Sequence, residues 1–322
     1  MGAGNDDDAP ELPDYDVVML GPMETSAIAL GVSGWIGGSD DANSYVLAID
    51  RGYVLIGAQS PAEVAVVKDY ERYWKMSEAA TLPGVRKPMV YATIEVGGGN
   101  GPSIKDAIQA HSIAAGGLEP DLFCFKVGAN VANVAGEQRA IADGIKAAWE
   151  LGVCPGMIAV EGYDAAALDG LITALSDAPD IKVVFNRVEF SLAERKILSD
   201  GTMDACKRLG VGVVAANPLG VGSCVVNETH PECDQGGLKL LAFLGSMVGG
   251  GVQRSPQQVA LNYVMCKGAV PELTTRSGAA VWECGGSMLW RLDQNAVGIL
   301  DERADAVEAG EGGRGGGEAS GA

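Results

Sequence analysis

The segment that most constrains how this chain can fold spans residues 181–220. It opens with an apolar, β-favouring run at 183–185, which predicts a buried strand. Apolar residues then recur at the spacing of one helical face from Met203 to Leu209, and residues 211–216 form a second apolar run. Buried strands joined by a helix run parallel, because antiparallel neighbours need only a short turn between them. The segment therefore predicts a βαβ unit within a parallel sheet.

The same alternation of apolar runs and amphipathic segments recurs along most of the chain. Further strands are predicted at residues 53–56, 89–94, 121–127 and 157–160. Helices are predicted at residues 41–50, 61–71, 103–115, 136–151, 163–175 and 238–267, and a closing helix at 290–301. The chain has 322 residues, which is enough for one large α/β barrel with a sizeable core.

Charge is concentrated at the two ends of the chain, which has a net charge of −19. Residues 1–16 hold six acids and no base, and residues 301–322 hold six acids and two arginines. We expect a disordered acidic leader at 1–16, one barrel domain at 17–307 and a disordered Gly/Glu-rich tail at 308–322. The negative charge disfavours nucleic acid and anionic lipid as partners, and no apolar run reaches membrane-spanning length.

Cysteine usage indicates a reducing compartment such as the cytoplasm, because the chain has seven cysteines and no CxxC motif. The N-terminus has no apolar signal core and is too acidic for a transit peptide, so no targeting segment is recognisable. Cys224, His230 and Cys233 lie near one another in the sequence, but three potential ligands do not complete a structural zinc site. No metal site is predicted.

Two motifs at the ends of predicted strands resemble the aldo-keto reductase family. Residues 186–190 read Asn-Arg-Val-Glu-Phe, where the family has Asn-Gln-x-Glu-Tyr after its sixth strand. Residues 216–222 read Ala-Asn-Pro-Leu-Gly-Val-Gly, where the family has Tyr-Ser-Pro-Leu-x-x-Gly after its seventh. The resemblance covers about residues 18–307, including the run 257–271 before the eighth strand. It implies a (β/α)8 TIM barrel that reduces carbonyl compounds with NADPH, with its site at the C-terminal ends of the strands.

The family's four catalytic side chains are all replaced at the matching positions. The family has an aspartate, a tyrosine, a lysine and a histidine; this chain has Gly57, Ala62, Ile94 and Lys126. Without the tyrosine, no hydroxyl protonates the developing alkoxide, and losing a general acid alone costs about 10²–10⁴-fold in rate. The sequence therefore predicts no ordinary carbonyl reductase activity, although the family is one of NADPH-dependent enzymes.

The nicotinamide end of the family's cofactor site is changed as well, since Ala216 replaces the tyrosine that stacks on the ring. The resemblance carries cofactor-binding roles over to five matched positions: Asn217, Leu219, Thr275, Arg276 and Glu283. Arg276 fits either a ligand of the 2′-phosphate or a solvated surface arginine. NADP is thus the cofactor that the resemblance implies, and weak or absent binding is expected.

Three charged residues occupy pocket-facing family positions on neighbouring predicted strands: Lys126, Glu161 and Arg187. Because parallel strands of a barrel end at the same rim, these side chains should converge there. Glu161 is expected to bridge the two cations, since an unpaired charge would cost several kcal/mol. The cluster, with a net charge of +1, either fills space left by the lost cofactor or holds a small anion. Scattered solvent-facing charges are the remaining alternative.

Two classes of function are compatible with these substitutions. The first is an aldo-keto reductase-like barrel without carbonyl reductase activity, which serves a binding, regulatory or structural role toward a small anion or a protein partner. The second is a divergent NADP-dependent oxidoreductase that acts on small carbonyl compounds. The fold cannot choose between them, because function depends on the site rather than on the barrel.

Overall fold

The computed structural model describes six ranges of the chain: residues 16–75, 86–96, 103–127, 135–220, 235–248 and 252–309. The leader up to residue 15, the tail from residue 310 and the candidate ligands Cys224, His230 and Cys233 lie outside these ranges. Within the described ranges, no helix is both long enough and apolar enough to cross a bilayer.

Eight parallel strands form a closed barrel, and a short hairpin precedes them. The hairpin strands are β1 (Val17–Leu20) and β2 (Met23–Ser26). The barrel strands are β3 (Ala29–Gly31), β4 (Leu55–Ala58), β5 (Met89–Val96), β6 (Leu122–Val127), β7 (Met157–Glu161), β8 (Lys182–Glu189), β9 (Gly212–Ala216) and β10 (Val270–Thr274). They follow one another around the barrel in chain order, and β10 closes it by pairing with β3. The predicted (β/α)8 TIM barrel is confirmed.

Helices surround the barrel within the described ranges. They are α1 (Ser39–Asp50), α2 (Pro61–Lys75), α3 (Ile104–Ala114), α4 (Ala135–Glu150), α5 (Ala165–Ala174), α6 (Lys196–Ser199), α7 (Thr202–Leu209), α8 (Gln235–Met247), α9 (Pro256–Cys266), α10 (Gly278–Gly285) and α11 (Gln294–Glu308). The helical region predicted at 238–267 is two helices, because Ser255 caps a new helix and Pro256 occupies its first turn. The predicted closing helix begins later, where Asp293 caps α11.

The β1–β2 hairpin closes the N-terminal end of the barrel, which the sequence analysis did not anticipate. Leu20 and Met23 are buried in an apolar cluster with residues of the barrel interior such as Leu55 and Val184. A side chain at Gly212 would place its Cβ 2.9 Å from the Cα atom of Leu20, so the hairpin packs directly on the barrel wall. The opposite end of the barrel, at the C-terminal ends of its strands, is here called the barrel mouth.

His111 on α3 is a buried titratable group outside the barrel. Its ring lies edge-on to Phe123 of β6, with 5.9 Å between the ring centroids. Neither ring nitrogen has a hydrogen-bond partner among the described residues. Burial therefore lowers the pKa of His111 below its usual value of 6.5.

We expect the free energy of unfolding to fall as the pH is lowered from about 7 to about 5.5. The unfolded chain takes up a proton near pH 6.5, whereas folded His111 does so only at lower pH. Neutral His111 therefore makes its full contribution to the free energy of unfolding above the pKa of histidine in the unfolded chain. This contribution is lost as the pH falls towards the lower pKa of His111 in the folded protein. Urea unfolding at several pH values measures this slope. His111→Leu should flatten it and His230→Gln should not; an unchanged slope in His111→Leu would contradict the assignment.

Candidate functional site

Lys126, Glu161 and Arg187 meet at the barrel mouth. They end the adjacent strands β6, β7 and β8, where Lys126 is in register with Glu161 and Glu161 with Arg187. The Lys126 ammonium lies 2.8 Å from Oε1 of Glu161, and the Arg187 guanidinium lies 3.2 Å from Oε2. Both distances are within the ion-pair limit of about 4 Å, so one carboxylate bridges two cations.

Glu272 on β10 joins these three residues across the barrel, and sequence reasoning missed it. The Arg187 guanidinium donates from Nε to Oε2 of Glu272 at 3.1 Å and from Nη2 to Oε1 at 2.9 Å. Two cations and two carboxylates leave the group neutral, which corrects the expected net charge of +1. The available signal was an acid inside the apolar run 270–273. We call Lys126, Glu161, Arg187 and Glu272 the charge network.

Tyr91 of β5 forms the floor of the charge network. Its hydroxyl donates a hydrogen bond to Glu272, and its ring packs edge-on against Phe185 with 5.2 Å between the centroids. Space for these side chains comes from two glycines. A Cβ at Gly57 would lie 2.5 Å from Cζ of Tyr91, and one at Gly31 would lie 2.9 Å from Oε1 of Glu272. The Tyr91 ring therefore occupies the volume beside Gly57, where the family resemblance places the catalytic aspartate.

The charge network runs from a dry interior to solvent. The side chain of Glu272 is 2% exposed and that of Arg187 is 13% exposed, whereas that of Lys126 is 47% exposed. Burial disfavours the charged guanidinium, but the carboxylates of Glu272 and Glu161 outweigh it and raise the pKa of Arg187. Burial and the charge of Glu272 raise the pKa of Tyr91 well above its usual range. The phenol therefore stays neutral, and both cations stay charged.

The other positions matched to the family's catalytic residues do not line the mouth. Ile94 is buried in the apolar cluster between the strands and the helices, because strand alternation from inward-facing Tyr91 turns it outward. The side chain at position 94 therefore points away from the barrel interior. Ala62 is exposed in the first turn of α2, which begins three residues after β4 ends. Gly57 and Lys126 are the matched positions that face the interior.

Arg276 is neither free nor simply solvated. Its Nε donates to Oδ1 of Asp41 at 2.9 Å, and its carbonyl oxygen accepts from the Ser44 hydroxyl. The carbonyl oxygen of the preceding residue, Thr275, accepts from Nε1 of Trp35 at 2.9 Å. The loop after β10 is thus tied to the loop after β3 and to α1. Sequence reasoning missed Asp41, for which the signal was an acid in the first turn of α1.

The remaining candidate cofactor residues are also engaged in contacts within the chain. The Asn217 amide donates to both carboxylate oxygens of Glu189, at 2.9 and 3.0 Å. Leu219 packs against the outer apolar cluster. Glu283 is exposed, and its carbonyl oxygen accepts from Gln258. Nothing in this geometry assigns these residues to a ligand. Within the described ranges, no three potential metal ligands are grouped together.

Comparison with known proteins identifies similar folds but no similar sequence. No protein-family model matches the chain, and no curated protein sequence matches it. An aldo-keto reductase from Klebsiella pneumoniae in complex with NADPH has a TM-score of 0.67 and 15% identity, covering 89% of this chain and 94% of that one. The aldo-keto reductase MGS-M4, from a Medee basin deep-sea metagenome library, has a TM-score of 0.62 and 15% identity, covering 87% and 91%.

A third similar structure is an aldo/keto reductase from Klebsiella pneumoniae in complex with NADP and acetate. Its TM-score is 0.67 at 15% identity, and the match covers 89% of this chain and 95% of that one. At this level of identity the similarity concerns the backbone and not the chemistry of the site. The chain thus has the (β/α)8 barrel fold found in aldo-keto reductases.

Proposed function

We propose that this barrel performs no carbonyl reduction and serves a binding, regulatory or structural role with its mouth closed by the charge network. The observation that carries the proposal is the position of the network. Arg187, Glu272 and Tyr91 bind one another in the barrel interior, where Tyr91 and Glu272 are buried and Arg187 is nearly so. The charges and hydrogen bonds of these three side chains compensate one another, so none of the three needs a ligand as its counter-charge.

Among the residues that the structure describes in the charge network and at its floor, Tyr91 and Lys126 have a proton to donate, and both are committed to other contacts. The Tyr91 phenol is fully buried and already donates to Glu272. The Lys126 ammonium is held by Glu161, which raises the pKa of Lys126 through their hydrogen bond. An efficient general acid has a pKa near the working pH and an open path to the substrate. Neither group has both properties.

Binding of anionic ligands is also disfavoured, because Lys126, Arg187 and Arg276 are paired with carboxylates of the chain itself. Glu161 lies between Lys126 and Arg187, and Asp41 holds Arg276. A phosphate or a carboxylate would have to displace an internal anion that is already desolvated. These contacts support weak or absent binding of NADP.

We expect the purified protein to oxidise NADPH no faster than the buffer background with a panel of reactive aldehydes. Calorimetric titration with NADP⁺ should show no binding tighter than about 1 µM. An active aldo-keto reductase assayed in parallel shows that the substrates and the cofactor are competent. Turnover at the rate of that control, or a submicromolar dissociation constant, would overturn the proposal.

A divergent NADP-dependent oxidoreductase is the second candidate. It is favoured by the fold similarity to proteins solved with NADPH and with NADP, and by the matched residues Thr275, Arg276 and Glu283. The two candidates differ in a simple measurement. A shift or quenching of NADPH fluorescence on addition of the protein favours the oxidoreductase, and unchanged fluorescence favours the closed barrel.

A further inference from the structure

Asp41 is a buried charged side chain in the first turn of α1. Its side chain is 0% exposed, and its Oδ2 accepts from the backbone N–H groups of Ile36 and Gly37 at 2.9 and 3.1 Å. Its Oδ1 accepts from Nε of Arg276 at 2.9 Å. Burial opposes the charge, but the hydrogen bonds from Arg276 and from the backbone hold the pKa of Asp41 below its usual range. The carboxylate is therefore a permanent anion.

Among the residues that the structure describes, Asp41 holds the Arg276 guanidinium along one edge. Its side chain is 46% exposed, and the contacts to Asp41 involve Nε and Nη2. An arginine presents five N–H donors in a planar fork that suits carboxylate and phosphate oxygens. The Asp41 carboxylate thus takes up the edge of the fork that carries Nε and Nη2 and neutralises its charge. A phosphate arriving from solvent would meet this buried negative charge directly behind the guanidinium.

We propose that Asp41 is a specificity-determining residue that excludes phosphate-bearing ligands from Arg276. The inference rests on the proposed function, since it concerns the same mouth, and it adds which residue is responsible for the exclusion. Without the Asp41 carboxylate, Arg276 and the backbone N–H groups of residues 36 and 37 would face one another without an anion. A phosphate group could then accept from the same donors and restore the charge balance.

The test is a phosphate titration of Asp41→Ala at constant ionic strength, with thermal unfolding as the readout. We expect inorganic phosphate to raise the melting temperature of this variant and to bind it at least about tenfold more tightly than it binds the wild type. Asp40→Ala is the matched control, because Asp40 is an exposed acid in the same first turn of α1. It removes the same charge and should leave the phosphate response at the wild-type level.

A second variant identifies the cation. In Asp41→Ala combined with Arg276→Met, the gain in phosphate affinity should disappear. If Asp41→Ala does not fold, Asp41→Asn removes the charge and keeps the side-chain shape. A smaller gain in phosphate affinity is then expected, because the amide oxygen still accepts from part of the same donors. The inference would be overturned if Asp41→Ala responded to phosphate no more strongly than Asp40→Ala. It would also be overturned if the double variant Asp41→Ala/Arg276→Met kept the gain in phosphate affinity. NADPH turnover by the wild type would instead overturn the proposed function and leave the phosphate comparison between variants intact.

Discussion

Glu272→Gln is expected to lower the free energy of unfolding by about 3–5 kcal/mol, the cost of breaking a buried ion pair by removing one partner. The variant leaves the Arg187 guanidinium, which is 13% exposed, without its most buried counter-charge. The Tyr91 hydroxyl also loses its charged acceptor. Since a domain has a total stability of about 5–15 kcal/mol, the loss should be plain in urea or thermal unfolding.

Two variants in the same network test whether burial governs the size of this effect. Glu161→Gln should also destabilise the fold, because it leaves Lys126 and Arg187 facing each other without an anion. Its cost should be smaller, since half-exposed Lys126 can turn to water. Lys126→Gln should cost least of the three. A Glu272→Gln loss below about 1 kcal/mol, or the reverse order of costs, would show that the network does not hold the barrel together.

Gly57→Ala is expected to destabilise the protein by about 1–3 kcal/mol or more, the range for overpacking a filled core. The added methyl group would lie 2.5 Å from Cζ and 2.7 Å from Cε1 of Tyr91. The ring cannot retreat easily, because it packs against Phe185 and is anchored through its hydroxyl to Glu272. Gly57→Asp introduces the catalytic aspartate of aldo-keto reductases at this position. It should destabilise the protein more than Gly57→Ala does, because it adds a second carboxylate beside Glu272. Urea unfolding measures both.

The matched control is Gly298→Ala in α11, where an added Cβ meets no atom within 4 Å. It should stabilise the protein by about 0.5–1 kcal/mol through helix propensity. The double variant Gly57→Ala/Tyr91→Leu should lose less free energy of unfolding than the two single variants lose together. The reason is that removing the Tyr91 ring removes the atoms with which the added methyl group clashes. Strict additivity would mean that Gly57 and Tyr91 do not share the same space.

The repetition of strands and helices could be predicted from the sequence alone, because apolar periodicity identifies both kinds of element. The meeting of Lys126, Glu161 and Arg187 could be predicted once the family resemblance had matched them to pocket-facing positions, since neighbouring parallel strands bring their C-terminal residues to one rim.

The long-range contacts of Glu272 and Arg276 could be seen only in the tertiary structure. Glu272 reaches Arg187 across 85 residues and Tyr91 across 181, and Arg276 reaches Asp41 across 235. Such pairs depend on strand register and on β10 pairing with β3, neither of which leaves a local pattern in the sequence. The outward orientation of Ile94 likewise depends on strand alignment, because a one-residue shift turns a side chain to the other face of the sheet. The sequence, read through the family resemblance, identified three of the charges that reach the mouth, and barrel closure added the fourth, Glu272, and decided which of them neutralise one another.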